Sequence, residues 1–550
     1  MPQYEGQKLA MPFVLVALLL FLVQLIAGGL MALYYISPET MSKIVQFNVL
    51  RAYHINALVF WLFAATFAGV IYAVPVLSGR DLWGHNLVRV VALLMIIGVV
   101  GAFATFPLMQ SGRNVWFLGQ PMLYEGKEYV EAGRLWDIII FTAFLLFAIV
   151  VLKSLPPMRQ WPLALWGLVF GAALTFFLYI PGNYFFKAVP TSEYFRWWTV
   201  HYWVEGALEV AYVSAFGLIL MVLIPTEDMR RVVDKYVFYD IVLAATSGII
   251  GQGHHYFWIG TPDFWILLGG VFSSLEIIPL ILLSIEAVRI AKESGVRFAN
   301  IPSLYFMVGT LVFGFIGVSM LGFIQTLPWT NWWEHGTWVT PIHGHECMMA
   351  FAMGAITLIL FAIPDLTGKP ADRTFTAWGK RAFWLMFIGQ IILATSFGLG
   401  GVRQIFHYWI LGEPWQNILS VRYPFVAGLV VGGAIVFIGV LHLVAAVFRH
   451  LYFPVDSEPY EPSSKPRRSF LTTFDGIPFL VGLSVLLALI GATGLWSFSA
   501  KAVLSSRDPW LPYSLSVVAY LGLGVLAVIL ASKYARTLEY GLHIEEDKAS

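Results

Sequence analysis

Long runs of apolar residues, separated by short polar segments, repeat along the whole chain. Each run is close to the roughly 20 residues that a helix needs to cross about 30 Å of hydrocarbon. The pattern therefore predicts an all-α integral membrane protein with about fourteen transmembrane helices. The predicted helices cover residues 11–36, 54–77, 88–110, 135–154, 163–184, 196–224, 236–258, 264–288, 302–327, 338–364, 381–400, 422–448, 474–497 and 511–531.

The composition supports a membrane protein and argues against a nucleic-acid partner. Of the 550 residues, 59% are hydrophobic and 12% are charged, which excludes a soluble domain. The net charge of +1 argues against a nucleic-acid partner, so membrane lipid is the expected surrounding. Lys and Arg are more frequent in the loops on the side that holds the N-terminus, which predicts that both termini are cytoplasmic.

One linker-like stretch separates the first twelve predicted helices from the last two. It reads P-V-D-S-E-P-Y-E-P-S-S-K-P-R-R and is rich in Pro, Ser and charges. We therefore expect a twelve-helix core at 8–450, a cytoplasmic linker at 451–472, and two additional transmembrane helices with a cytoplasmic tail at 473–550.

Six histidines fall inside the apolar runs, and the predicted topology places all of them in the outer half of the membrane. A polar side chain inside a bilayer is costly, so clustered imidazoles and carboxylates indicate a functional site. The six residues are His54, His201, His254, His255, His343 and His345.

The motif P-I-H-G-H-E indicates that one helix serves two haems. His343 and His345 are about 200° apart on a helix and therefore face opposite sides. A haem iron takes an axial imidazole, and His54 in R-A-Y-H-I-N is the natural second axial ligand for one of the two haems. The other haem would then have one axial ligand and an open face.

The remaining histidines indicate a third metal. His254 and His255 are adjacent, and the glycines around them permit a local distortion of the helix. Together with His201 they offer three imidazoles to a non-haem metal, and Glu205 follows His201 by one helical turn. Because a carboxylate oxygen makes the ligand set harder, iron suits it better than copper.

At these residues the chain resembles the haem–copper oxidase superfamily, and most closely the catalytic large subunit of cytochrome-c-dependent nitric oxide reductases. The resemblance covers 8–450. The motifs that carry it are R-A-Y-H-I-N, R-W-W-T-V-H-Y-W-V-E-G-A-L-E, T-S-G-I-I-G-Q-G-H-H-Y-F-W-I-G, F-S-S-L-E-I-I-P and E-H-G-T-W-V-T-P-I-H-G-H. Oxygen-reducing relatives carry a tyrosine near the metal in place of the glutamate.

The resemblance implies ligands for each cofactor. It assigns His54 and His345 to a low-spin haem b, His343 to a high-spin haem b3, and His201, His254, His255 and Glu205 to the non-haem iron. It also implies that Glu209 and Glu276 deliver protons, and that Glu128 in Y-E-G-K-E-Y-V-E is a calcium ligand.

The activity implied by the resemblance is the reduction of two nitric oxide molecules to nitrous oxide and water, in a bacterial or archaeal plasma membrane. The chain has one cysteine, Cys347, so a covalently held haem must belong to a partner. We therefore expect a haem c-containing small subunit or a soluble cytochrome c as donor. We also expect protons to enter from the outer side, because the acidic residues lie there.

Two features depart from the family pattern, and three other functions stay open. The last two helices have no counterpart in the usual twelve-helix subunit. Glu346 and Cys347 follow the H-G-H motif, where a carboxylate would alter the potential of the low-spin haem.

An oxygen-reducing oxidase would need a redox tyrosine, and Tyr239 is about 24 Å of helix from His255. A nitric oxide dismutase, and a haem b electron conduit or transporter, also stay open.

Overall fold

The structure is a computed structural model in which transmembrane helices are the repeating element. It describes residues 3–111, 132–182, 186–224, 226–257, 259–276, 278–294, 300–456, 458, 460, 476–499 and 510–540. Glu128 and most of the predicted linker lie outside the described residues. The all-α prediction is confirmed, because helices account for the regular structure of every predicted span.

The crossings of the core are built from fifteen helical segments within the described residues. The first ten are α1 (Met11–Tyr34), α2 (Phe47–Ser78), α3 (His85–Thr105), α4 (Arg134–Ser154), α5 (Leu163–Gly182), α6 (Val189–His201), α7 (Glu209–Leu223), α8 (Glu227–Ile250), α9 (Asp263–Leu275) and α10 (Ile278–Ser294). The next five are α11 (Ile301–Phe313), α12 (Gly322–Thr326), α13 (Thr340–Thr367), α14 (Arg373–Ile405) and α15 (Tyr423–Tyr452). The two C-terminal helices are α16 (Gly476–Ser499) and α17 (Trp510–Tyr540).

Eleven helical stretches within the described residues are long and apolar enough to cross a membrane. The other three predicted spans correspond to α5 and α16, whose apolar described segments are shorter, and to α8. Charged residues near its beginning make α8 less apolar than its neighbours. The prediction of about fourteen helices is therefore an approximate count.

Two of the crossings contain a π-helical segment in the middle. Residues Tyr202–Leu208 join α6 to α7, and Gly314–Leu321 join α11 to α12. A π-turn widens the helix locally and is frequent at functional sites. Both segments lie beside predicted ligand histidines, so the backbone departs from an ideal helix where the polar side chains gather.

Small residues allow the closest helix contacts. A Cβ added to Gly389 of α14 would lie 2.7 Å from the carbonyl oxygen of Gly432 in α15, so glycine is required for this approach. Helix pairs in membranes are held by such backbone proximity and by van der Waals contact, because lipid is as apolar as the helix surface. This pairing fixes the wall of the bundle beside α13.

The two C-terminal helices pack onto the core through α17, which contacts α11 and α14. The Glu539 side chain is fully buried, accepts a hydrogen bond from Tyr305, and pairs with Lys380 at 2.8 Å. Earlier in α17, the Tyr520 hydroxyl donates to Glu334 Oε1 at 3.3 Å. Buried polar contacts therefore join α17 to the core at two levels of the helix.

Candidate functional site

Four side chains from two neighbouring crossings form a compact cluster around one carboxylate oxygen. Glu205 Oε1 lies 3.3 Å from His201 Nδ1, 3.8 Å from His254 Nε2 and 4.0 Å from His255 Nε2. One ligand atom from each residue lies within 4.8 Å of all the others. Ligands bound at about 2.0–2.2 Å to one metal are about 3–4 Å apart, so the cluster fits a single ion.

Local backbone irregularity brings the cluster together. Glu205 lies inside the π-helical segment that follows His201, and both histidines of the adjacent pair lie in a 3₁₀-helical turn, Gly251–His255. The tighter turn leaves the two adjacent rings only 4.0 Å apart, centroid to centroid. Gly253 makes this turn possible, because an added Cβ would lie 2.0 Å from the carbonyl oxygen of Trp265.

Neighbouring side chains orient the cluster, and sequence reasoning missed them. The Ser273 hydroxyl donates to Glu205 Oε2, which directs the other carboxylate oxygen toward the imidazoles. Trp197 stacks on His255, with ring centroids 4.9 Å apart and ring planes 9° apart. Partners of this kind fix the orientation of metal ligands. Serine is common in apolar helices, where it usually donates to a carbonyl of its own helix, so no sequence signal distinguished Ser273.

The unpaired nitrogens of the cluster fit a cation. Within the described residues, His201 Nδ1 and His255 Nε2 form no hydrogen bond. The other ring nitrogen of His201 lies 3.4 Å from the Ser247 carbonyl oxygen. That contact fixes the tautomer in which the lone pair of Nδ1 faces Glu205. A buried polar atom without a partner is costly, and a bound metal ion would remove the cost.

Two histidines from different helices face each other on one side of α13. The rings of His54 and His345 lie 6.3 Å apart, centroid to centroid, with 31° between their planes. When two imidazoles bind one metal from opposite sides, their nitrogens are about 4 Å apart and their ring centroids about 6 Å apart, since each metal–nitrogen bond is about 2 Å and each ring centre lies about 1 Å beyond its nitrogen. Each Nδ1 contacts a backbone carbonyl, that of Gln24 at 2.8 Å and that of Pro341 at 2.7 Å. Both Nε2 atoms are thereby left to act as ligands.

The other histidine of the H-G-H motif lies on the opposite side of α13. His343 Nδ1 is 3.1 Å from the carbonyl oxygen of Gly317, in the second π-helical segment. A Cβ added to Gly322 would lie 2.8 Å from the His343 ring, so a glycine is needed beside it. His343 and the four residues of the cluster line the same cavity. The structure therefore brings this histidine and the cluster to one space.

One cavity of about 1850 Å³ connects the three histidine groups. It is larger than the roughly 300–1,000 Å³ of an ordinary small-molecule site, and its walls are mostly apolar. The donor sets and the space fit two large planar cofactors and a metal ion. Seven of the predicted ligands line this cavity: His54, His201, Glu205, His254, His255, His343 and His345.

The two other predicted acidic residues are also buried. Glu209 begins α7 and is 9% exposed, and Glu276 follows α9 and is 5% exposed. One oxygen of each forms no hydrogen bond within the described residues. The charge of each interacts with that of Glu205. The structure therefore brings both residues near the cluster but outside its ligand set, whereas Glu128 lies outside the described residues.

Glu346 follows His345 in the sequence, but its side chain lies beside His343, the other histidine of the motif. Its side chain packs against Gly317, whose carbonyl oxygen contacts His343, and it accepts a hydrogen bond from Gln390 at 3.1 Å. Residues at i and i+3 share a helix face, so Glu346 accompanies the first histidine of the motif. Cys347 is buried and free, and it offers no exposed thiol.

Comparison with known proteins agrees with this arrangement. The chain is 29% identical to a nitric oxide reductase subunit of Stutzerimonas stutzeri over 422 residues, 73% of this chain and 85% of that protein. It is 24% identical over 234 residues to "Ubiquinol oxidase subunit 1" of Acetobacter aceti, 40% of this chain and 33% of that protein. The model of the family described as "Cytochrome C and Quinol oxidase polypeptide I" matches residues 8–435. The chain therefore belongs to this family, the haem–copper oxidase subunit I proteins, which bind haems and a further metal.

Proposed function

We propose that the protein is a nitric oxide reductase that converts two nitric oxide molecules, two electrons and two protons into nitrous oxide and water. The observation that carries the proposal is Glu205, whose Oε1 lies within 4.0 Å of three imidazole nitrogens. A carboxylate in this ligand set favours iron. The similarity to the nitric oxide reductase of Stutzerimonas stutzeri supports the same reaction.

We assign one cofactor to each histidine group. His54 and His345 would bind a low-spin haem b on two sides, since their rings face each other. His343 would bind a high-spin haem b3 on one side, leaving the face toward the cluster open to substrate. His201, His254, His255 and Glu205 would hold the non-haem iron. Haem and iron supply the redox chemistry when bound.

The chain contributes charge, geometry and protons. The Glu205 carboxylate offsets part of the positive charge of an iron ion, and Ser273 holds that carboxylate in place. Apolar walls exclude bulk water from the cavity, which strengthens electrostatic interactions inside it. Glu209 and Glu276 are buried close to Glu205 and can hold the protons that the product water requires.

Electrons would come from a c-type cytochrome. The Stutzerimonas stutzeri relative is named as one subunit of its reductase, which supports a second polypeptide that carries haem c, and a soluble cytochrome c would serve equally. The only cysteine of this chain, Cys347, is buried, so a covalently attached haem must lie on the donor. The donor would dock near His54 and His345, the pair that we assign to electron transfer.

Two observations weigh against an oxygen-reducing oxidase. Tyr239 is 45% exposed, so its hydroxyl does not face the cluster. Tyr256 is buried, but its hydroxyl donates to the Tyr194 carbonyl oxygen. A nitric oxide dismutase would share the metal site and differ in product. An electron conduit or transporter would have no use for three imidazoles and a carboxylate around one point.

The test is an assay of the purified protein with nitric oxide and reduced cytochrome c, following nitrous oxide, oxygen and metal content. Glu205→Ala should lose the non-haem iron or nearly all nitrous oxide production, and keep the bis-imidazole haem spectrum. Glu193→Ala is the matched control, because Glu193 lies on the same crossing and pairs with Arg196. Oxygen release from nitric oxide would indicate dismutation, and full iron content with normal activity in Glu205→Ala would contradict the site.

A further inference from the structure

Asp240 is a buried acid that neither the proposed ligand set nor the predicted proton residues include. It lies on the buried face of α8 and is 1% exposed. Within the described residues, neither of its carboxyl oxygens forms a hydrogen bond. An unpaired charge at such a position is very costly. A buried aspartate with a structural role is usually paired, as Asp137 is with Arg134.

Asp240 lies at the depth of Glu209. The helices α7 and α8 are antiparallel, and an added Cβ on Gly217 would lie 2.6 Å from Val233 Cγ1, so these two residues are level. From that contact, eight residues back along α7 lead to Glu209, and seven residues forward along α8 lead to Asp240. Both steps rise about 11 Å. The two carboxyl groups therefore lie at about the same depth on neighbouring helices.

The interaction between the charges agrees with this placement. The charge of Asp240 acts on Glu209, and Glu209 interacts in turn with Glu205. Helix α8 also packs against α5, α9 and α10. Among the ionisable groups that the structure describes, Glu209 is the one found to interact with Asp240. A row of carboxyl groups thus leads from the metal cluster through Glu209 to Asp240.

The row ends at Asp240. The other buried residues of α8, toward the face of the bundle at which α1 begins, are Val237, Tyr236, Val233 and Met229. Tyr236 lies one helical turn from Asp240 and has a hydroxyl, whereas Val233 and Met229 beyond it neither donate nor accept a proton. Two neighbouring carboxylates without a cation repel strongly in a medium of low dielectric constant, so both acids of the Glu209 and Asp240 pair are protonated at rest, and the pair takes up protons again after it has lost them.

We propose that Asp240 is a proton store that supplies the second proton of the reaction through Glu209. This inference rests on the proposed function, which consumes two protons per turnover. After Glu209 has given up its proton, the O–H bond of Asp240 breaks and an O–H bond forms on Glu209. Asp240 is then a carboxylate, and it recovers a proton by the reverse transfer once Glu209 is reprotonated from the medium. No electron moves in this step.

Asp240→Asn tests the proposal, because the amide has nearly the same volume and cannot exchange a proton. The fully loaded, reduced protein is mixed with nitric oxide, and a pH indicator in the medium follows proton uptake. In the unchanged protein, product formation should run ahead of uptake, since stored protons are used first. In Asp240→Asn, the step that needs the second proton should slow by roughly tenfold or more. Product formation should then run at the same rate as proton uptake from the medium. Asp240→Glu should restore most of the rate.

Infrared difference spectra between the oxidised and reduced protein give a readout that does not depend on turnover. A protonated-carboxyl band should be lost in Asp240→Asn and shifted in Asp240→Glu. Asp137→Asn is the matched control, because Asp137 is buried but paired, and it should change neither spectrum nor rate. A protein that makes no nitrous oxide but shows the band would refute the proposed function and leave the store intact.

Three results would overturn the proton store. The infrared spectrum of Asp240→Asn could retain every carboxyl band, which would mean that Asp240 carries no proton. The rate and its pH profile could be the same as in the unchanged protein. Loss of haem or iron in both Asp240→Asn and Asp240→Glu, with normal content in Asp137→Asn, would assign Asp240 a structural role.

Discussion

Ser273 gives the sharpest test of how the metal ligands are oriented. Its hydroxyl donates to Glu205 Oε2, while Oε1 of the same carboxylate faces the three imidazoles. Ser273→Ala removes this donor and leaves one carboxylate oxygen without it. A hydrogen bond to a charged group contributes about 1.5–3 kcal/mol. The expected weakening of metal binding is therefore about 10–100-fold, as is usual for residues that support metal ligands.

The assay is competition between the protein and a chelator for the non-haem iron, with the remaining iron measured by metal analysis. Ser273→Ala should release iron at a chelator concentration about 10–100-fold lower than the unchanged protein. Ser274→Ala is the control, because the Ser274 hydroxyl donates to the Gly270 carbonyl oxygen and lies 3.1 Å from Thr326 Oγ1. Equal iron retention in Ser273→Ala and the unchanged protein would refute the reasoning, as would equal loss in the two variants.

Three further predictions concern stability and proton access. Burial raises the pKa of Glu334 to about 8, so its folded state binds a proton more tightly than the unfolded chain. Thermal stability should therefore fall as pH rises from 6 to 8, by at most about 1.4 kcal/mol per pH unit, and Glu334→Gln should flatten this dependence. Glu539→Gln should lower stability by about 1–3 kcal/mol through loss of the buried pair with Lys380, whereas Glu293→Gln, in an exposed pair, should change the unfolding midpoint little. Turnover in oriented vesicles should take protons from the face nearer the cluster and build no transmembrane voltage. A voltage-sensitive dye should therefore give no signal, and a signal during turnover would contradict the prediction.

Sequence reasoning found the side chains whose presence in an apolar run is itself anomalous. His54, His345 and Glu205 could be identified because each is costly in a membrane without a function, and helical spacing alone put His343 and His345 on opposite sides of α13. The same reasoning predicted about fourteen spans from apolar length, and eleven helical stretches within the described residues are long and apolar enough to cross a membrane. The helix α8 begins at Glu227, before the predicted span 236–258, and its charged first turns lower its hydropathy.

What sequence reasoning missed depends on contacts between distant parts of the chain. Ser273 is 68 residues from Glu205, and Tyr520 is 186 residues from Glu334. Neither pairing has a periodic signature. The π-helical turn at Tyr202–Leu208 also has no signature in the local sequence, which is equally compatible with an α-helix. Asp240 was overlooked for a different reason, since it lies near the start of the predicted span 236–258, where an acidic residue resembles the end of a loop.

The position of Asp240 bears on which side of the membrane provides protons. It lies about 20 Å along α8 from Glu227, where the helix begins. Beyond the Tyr236 hydroxyl, one turn from Asp240, the buried residues on that stretch are Val233 and Met229. A proton crossing there would need a charged intermediate with no partner, at a cost that the apolar wall does not offset. On the other side of Asp240, Glu209 leads to the metal cluster within a few ångströms of helix rise. A proton held at Asp240 can therefore move toward the cluster far more easily than toward the face where α1 begins, so the row of acids extends the reserve of protons without opening a path across the membrane.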